Sequence, residues 1–292
     1  MKSIPTLAFA AAMAASAGAT PVLLEVDSAL SSVEVEISIA GGVLGDTDSS
    51  SLSGFLRIEL DSVSAAGQSG LHAFRLVVDD DLHLQDSVFL VGGFTATIND
   101  AVFYFVPPPP APASIGPAGE VAFADVNSAA EGTAAYTVTG AACTLLGGQP
   151  CTDTIDLADS DPSQIESFQG VFTIENGIVT FTATLSMTMP LDPDNPSNGT
   201  LSVDGVVVAR GVACAVDITG SASPSSPSYL VPDGVVDAED FFAFLGLFAA
   251  GDPRADISGS SSLASQDYLV PDGVIDAEDF FTFLSLFAAG CP

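Results

Sequence analysis

Val171-Phe-Thr-Ile-Glu175, then Asn176-Gly177, then Ile178 through Met189 is the stretch on which the fold turns. In its second arm Val179, Phe181, Ala183, Leu185, Met187 and Met189 share one face, with Thr180, Thr182, Thr184, Ser186 and Thr188 opposite. Alternation of that length marks a half-buried strand. Asn-Gly between two such runs marks a tight hairpin, because both turn residues need positive φ. A strand this long with one apolar face fits a barrel or a large sandwich.

Outward from the hairpin the same period recurs. Val33 to Ile39 and Leu56 to Leu60 alternate strictly, and Phe74 to Val78, Val88 to Val91, Phe94 to Ile98, Val102 to Val106, Ala135 to Thr139 and Leu201 to Ala209 are further strand candidates. No segment between 21 and 210 has the length and period of an amphipathic helix. Residues 20–212 are therefore expected to form an all-β, mostly antiparallel domain, sandwich or barrel. Pro107-Pro-Pro-Pro-Ala-Pro112 reads as a stiff polyproline loop between strands.

Residues 1–19 carry a lysine, a short apolar run and small residues suited to cleavage, the pattern of an export signal. The run is too short to span a bilayer, so a secreted chain with no membrane insertion is expected. The formal charge is −32, with five Lys and Arg against 37 Asp and Glu. Such a chain is repelled by nucleic acid and by anionic membranes and attracts divalent cations. Four cysteines in an exported protein suggest two disulfides, for which three pairings exist. Cys143 with Cys151 closes a short loop, and Cys214 with Cys291 would then bracket the tail.

The tail repeats itself. Tyr229 through Gly251 recurs 39 residues later as Tyr268 through Gly290, with three differences: Val236/Ile275, Ala243/Thr282 and Gly246/Ser285. Each copy reads as the acid-rich second half of a calcium loop followed by a short apolar helix. Calcium needs oxygen ligands at fixed loop positions and a glycine at the sharp turn. In the first copy Asp217, Thr219, Asp233, the Val235 carbonyl, Asp237 and Asp240 fill those positions. In the second they are Asp256, Ser258, Asp272, Val274, Asp276 and Asp279. Two calcium ions, one per repeat, are expected. The plainer alternative is that Asp237 and Asp276 cap helices.

On these motifs residues 213–292 resemble a type I dockerin of the GC type. The resemblance implies a small α-helical duplicated calcium-loop module that attaches its carrier to a cohesin-like or cell-surface receptor. It also implies recognition by Ala238, Glu239, Ala277 and Glu278. Thr219 and Ser258 stand where the family has Asn, and an inserted segment splits each loop. Phe241, Phe244, Leu245 and Phe248 make one helical face suited to a core. Phe242 and Phe281 lie off it, as packing between repeats or as a docking patch.

The β region offers little chemistry. Asp79-Asp-Asp-Leu-His83 reads as an acidic loop beside an ordinary histidine, no serine has a GxSxG context, and acids are too many to nominate a glycosidase pair. Absent tryptophan weakens a sugar-stacking role. Two functions follow: a non-catalytic docked β protein, its barrel or sandwich holding a carbohydrate or small apolar ligand, or a dockerin-borne polysaccharide-degrading enzyme.

Overall fold

The computed structural model describes residues 20–290 except 40, 62–66, 146–149, 160–162, 176 and 191–198. The expected export signal and Cys291 lie outside the described residues.

Twelve strands make one continuous antiparallel sheet: β1 (Thr20–Val26), β2 (Ser32–Ile39), β3 (Leu44–Leu60), β4 (Gln68–Val78), β5 (Leu82–Val88), β6 (Gly92–Phe105), β7 (Ala113–Ser114), β8 (Glu120–Gly140), β9 (Thr152–Asp156), β10 (Ser163–Glu175), β11 (Ile178–Pro190) and β12 (Gly199–Val212). Pairing of β3 with β4, Leu52↔Val78 through Leu60↔Ser69, joins the two ends of the strand path into a ring. Three long strands are each paired along one edge by two shorter ones in succession. β3 meets β2 along Leu44–Ser51 and β1 along Phe55–Leu60; β6 meets β5 and then β4; β8 meets β9 and then β10. In each pair the two short strands run the same way, so each is one stave with a kink in it.

Two of the kinks are built from polar side chains. At the first, Ser31 Oγ accepts from the Val208 amide at 2.9 Å and donates to the Val208 carbonyl at 3.2 Å. At the second, Asp79 accepts from the hydroxyls of Ser51 and Ser53. Beyond it the β5 edge is tied to β3 by carboxylates. Asp48 accepts from the His83 amide, Asp46 from the Gln85 amide, and Asp86 from the Gly45 amide, at 2.7, 2.7 and 3.0 Å. The His83 amide, with that of Ser49, also holds the Asp48 carboxyl below its ordinary range. A run such as Asp46-Thr-Asp-Ser-Ser-Ser51 is held by its backbone ladder with β2 on one edge, and its own side chains bond the β5 edge on the other.

The ring is filled. Phe74, Phe105, Phe168, Phe172 and Phe181 pack edge-on or tilted inside it at centroid separations of 4.6 to 6.3 Å. Leu24, Leu56, Ile58, Leu60, Leu71 and Phe123 are wholly buried around them. The outward rows carry Glu34, Glu36, Thr182, Thr184, Asp204 and Arg210. Apolar in and polar out is the reverse of a barrel that faces lipid. No helix among the described residues is long and apolar enough to cross a membrane.

The expectation of a sandwich or barrel followed by a separate small α-helical module is corrected. The β part is one continuous sheet and not two facing ones. The tail contributes only two 13-residue helices, α1 (Ala238–Ala250) and α2 (Ala277–Ala289). The rest of its described residues are turn apart from the short 3-10 helix Pro253–Ala255, and the tail is packed onto the outer face of the sheet. Val88–Val91 is corrected as well. β5 ends at Val88, and Phe89 and Leu90 form an exposed turn with Leu90 at φ 70°.

Candidate functional site

The two helices meet around one stacked pair. Phe244 and Phe283 lie 3.9 Å apart with planes 4° from parallel. Phe241 with Phe287 and Phe248 with Phe280 flank them at 5.8 and 5.9 Å, so equivalent residues of the two repeats exchange places across the stack. Leu247, Leu286, Val216, Ala255, Tyr268 and Leu269 complete this second core. The helical face predicted to bury does so in part, since Phe244 is buried and Phe241 and Phe248 are half-buried. Phe242 and Phe281 stay outside, 59% and 54% exposed.

Each helix opens with a capping box. Asp237 accepts from the Glu239 amide, while Asp240 reaches back to the Asp237 amide; Asp276 and Asp279 repeat the pattern. The same Asp240 carboxylate, wholly buried, accepts from the amides of Ile218 and Thr219 at 2.8 and 2.9 Å. Asp279 accepts from Ile257 and Ser258 at 2.7 and 2.9 Å. Asp217 takes the amides of Asp233 and Gly234, and Asp256 those of Asp272 and Gly273. Thr219 and Ser258 turn their hydroxyls on the carbonyls of Ser221 and Ser260. Asp233 and Asp272 accept from the amides of Val235 and Val274. Gly234 and Gly273 sit at φ 86° and 85°, a turn that favours glycine.

The carboxylates thus spend their oxygens on backbone amides of their own loops. Charge-assisted bonds of this kind are stronger than neutral ones, and they fold a turn-rich segment that has little ladder of its own. Among the described residues no group of three or more His, Cys, Asp or Glu is arranged to hold a metal ion. The EF-hand-like metal group read in these loops is corrected, since the described acids form none; the residues read as calcium ligands serve here as amide acceptors. Glu239 accepts from the Ala222 amide and Glu278 from that of Ser261, so these residues hold the inserted segment against the helix start. The bonds from Ser261 hold the Glu278 carboxyl below its usual range.

What the sequence did not disclose is Arg57. It lies on the outward face of β3 yet is only 2% exposed, because the second repeat covers it. Its Nη1 donates to the carbonyls of Ser265 at 2.6 Å, Tyr268 at 2.9 Å and Gln266 at 3.5 Å, and Nη2 to that of Leu263 at 3.3 Å. The guanidinium also lies 5.6 Å from the centre of the Tyr268 ring. Burial lowers the Arg57 pKa and raises that of Tyr268. Around this anchor Gln266 Nε2 donates to the Phe105 carbonyl, Thr20 Oγ1 to that of Gly290, and Leu23 of β1 packs into the tail core. Leu23 was the one available signal, an apolar residue on the outward row of β1.

Cys143 and Cys151 are joined to each other. Cys214 is disulfide-bonded. The two histidines are apart in the sheet, His72 facing Glu59 at 2.8 Å and His83 lying in β5 opposite Thr97.

No family model matches the chain, and no curated protein does. Among the solved structures that match are two of Ail, the attachment invasion locus protein of Yersinia pestis, one in complex with the heparin analogue sucrose octasulfate. Both are 10% identical at a TM-score of 0.30, and each match covers 67% of this chain, with 98% of the Ail chain in the complex and 97% in the other. A likeness of that depth carries no argument about this chain's activity. The expectation of a calcium-dependent dockerin-like module on a cohesin-like receptor is corrected: no family model matches, and the loop acids among the described residues form no group arranged to hold a metal ion. The expectation of a dockerin-borne polysaccharide-degrading enzyme rested on the same module and is withdrawn with it.

Proposed function

We propose that the chain is an exported, non-enzymatic binding protein of the cell exterior, in which the filled barrel is a scaffold and the first tail repeat meets a partner protein. The observation that carries this is the unequal use of two nearly equal repeats. The second repeat buries Tyr268 and Leu269 and grips the barrel through Arg57, whereas Tyr229 and Leu230 of the first are only half-buried. No hydrogen bond joins the first repeat's turn to the barrel among the described residues. Exposed Glu239 accepts from the Ala222 amide at the start of that turn, and Phe242 is exposed on the helix that follows. Inside the barrel the described aromatic residues pack against one another, which favours a scaffold role. Disulfide bonding at Cys143, Cys151 and Cys214 suits an oxidising compartment.

The test is retention of the purified full chain on the surface fraction of the cells that make it. Pro227→Lys with Tyr229→Ala should release the protein, and Phe281→Ser should not. Equal retention of all three proteins, or none of the unaltered one, would overturn the reading.

A further inference from the structure

The turn that holds Arg57 exists twice. In the second repeat Ser265 donates its amide to the Ser262 carbonyl, Tyr268 to Ser265, Val270 to Asp267, and Gly259 to Val270, at 2.9, 3.4, 3.2 and 2.8 Å. In the first, Ser226 donates to Ser223, Tyr229 to Ser226, Val231 to Ser228, and Gly220 to Val231, at 2.9, 3.2, 3.3 and 2.8 Å. Leu269 and Leu230 take the same left-handed conformation, φ 61° and 57°. The backbone that aims four carbonyls at a guanidinium is therefore reproduced 39 residues earlier, with Tyr229 in place of Tyr268.

We infer that the first repeat's turn is an arginine-binding site: the carbonyls of Pro224, Ser226, Pro227 and Tyr229 receive the guanidinium of an arginine on a basic partner protein, with the Tyr229 ring beside it. This rests on the reading that the first repeat is the partner-facing half. Three observations select that occupant. The chain has already solved the same problem once, with Arg57, in the same turn. A carbonyl nest takes a planar fork of donors better than a compact ammonium. The chain carries −32 charges, so a cationic partner is drawn to it and a second copy is repelled.

The chain's other arginines are engaged elsewhere: Arg75 faces Glu131, Arg210 pairs with Asp27, and Arg254 is held by both oxygens of Asp252 at 2.7 and 2.8 Å. Arg254 makes no hydrogen bond to the turn among the described residues. Pro224 and Pro227 replace Leu263 and Gln266. Their fixed φ holds the turn in shape before anything binds, which lowers the ordering cost of association.

The experiment is an NMR titration of the isotopically labelled full chain with N-acetyl-arginine amide, and in parallel with N-acetyl-lysine amide. The arginine probe should shift the amides and carbonyls of residues 222–231 saturably and leave 261–270 unmoved, because Arg57 fills that turn. The lysine probe should bind at least about fivefold more weakly, having no planar fork. Arg57→Ala should make 261–270 respond as well; if that variant does not fold, the comparison of the two probes still decides. Absence of any shift at 222–231 up to ~50 mM, where a millimolar site is saturated, would overturn the proposal. So would equal response to both probes. A response that rises severalfold in Arg254→Ala would also overturn it, since the chain's own arginine would then be the occupant. Failure here with surface retention intact would leave the first repeat as the contact by another chemistry. Success here with retention lost would leave the site real and the cell-surface role refuted.

Discussion

Replacing Arg57 with methionine should detach the tail from the barrel and leave the barrel folded. Methionine fills much of the arginine stem's volume, so the loss is chiefly polar. It strands the carbonyls of Leu263, Ser265 and Tyr268, which Arg57 meets at 3.3, 2.6 and 2.9 Å, the Tyr268 contact fully buried and the other two partly so. A buried acceptor left without its donor costs about 1–3 kcal/mol, and removal of one charged partner from a buried array about 3–5. Ser265 O keeps the Tyr268 amide and the freed loop can swing into water, so the lower figure applies, about 3 kcal/mol of docking free energy. At ~1.4 kcal/mol per decade that is about a hundredfold in the docking equilibrium. Hydrogen exchange followed by mass spectrometry reads it directly, with an internal control. Residues 262–270 and 223–231 share one backbone, so the former should exchange more slowly in the unaltered chain, and that difference reports docking. Arg57→Met should erase that difference while β11 stays protected. Persistent slow exchange at 262–270, or equal loss of protection in β11, would refute the reasoning; in the second case Arg57 would be a barrel core residue and not a clasp.

Asp240→Asn and Asp279→Asn should each lower tail stability by about 2–4 kcal/mol, because each carboxylate serves three amides and an amide group presents a donor to at least one of them. Helical circular dichroism on heating should show near-equal losses for the two, as the repeat symmetry requires. Gly54→Ala should cost more than ~3 kcal/mol and broaden or abolish the barrel transition, since the new methyl would stand 2.0 Å from the Arg75 carbonyl oxygen at the seam that closes the ring. The Arg254 side chain holds the Asp252 carboxyl down to about 2. The pair's contribution is therefore present above the ordinary carboxylate pKa and lost as the pH falls through about 2. Arg254→Ala should raise the Asp252 pKa toward its ordinary range in a carboxyl-detected titration, the residue 254 amide still holding it partly down.

The hairpin of β10 and β11 was legible because apolar and polar residues alternate on either side of an Asn-Gly pair, and Gly177 takes φ 76°. The alternating runs at Val33 and Leu56 were legible for the same reason. Not legible were strands written in acids and hydroxyls. Asp46 to Ser51 has the composition of a loop, and it is strand because its backbone pairs with β2 while the amides of Asp80, His83 and Gln85 and the carboxylate of Asp79 meet its side chains. The kinked staves were half legible: polar residues mark each break, yet nothing local says that the chain resumes in the same direction along the same neighbour. Val88 to Val91 failed because an apolar tetrad has no period of its own.

In the tail the repeat was plain and its chemistry was not. A carboxylate that begins or ends such a loop faces backbone amides whether or not a cation is also held, so spacing alone does not separate the two uses. Arg57 was missed for a different reason. In Leu56-Arg-Ile-Glu-Leu60 it falls where an outward polar residue belongs, and the turn that covers it is more than 200 residues away.

A duplicated segment fastened to a single scaffold cannot be used symmetrically. The barrel has one Arg57 and one outward Leu23, so only one of two matching turns can sit there. The other keeps the same left-handed leucine, the same tyrosine and the same row of carbonyls without the contact that accounts for them in its twin. If the first turn served only to connect elements, its carbonyl geometry would be free to drift, and proline at both ends of Pro224-Ser-Ser-Pro227 would need another reason. Those prolines instead fix the geometry that the second turn obtains by docking. A turn held in shape by the barrel needs no internal stiffening, and one that must be ready for an outside guanidinium does. The sequence difference between the repeats thus falls where the difference in use requires it.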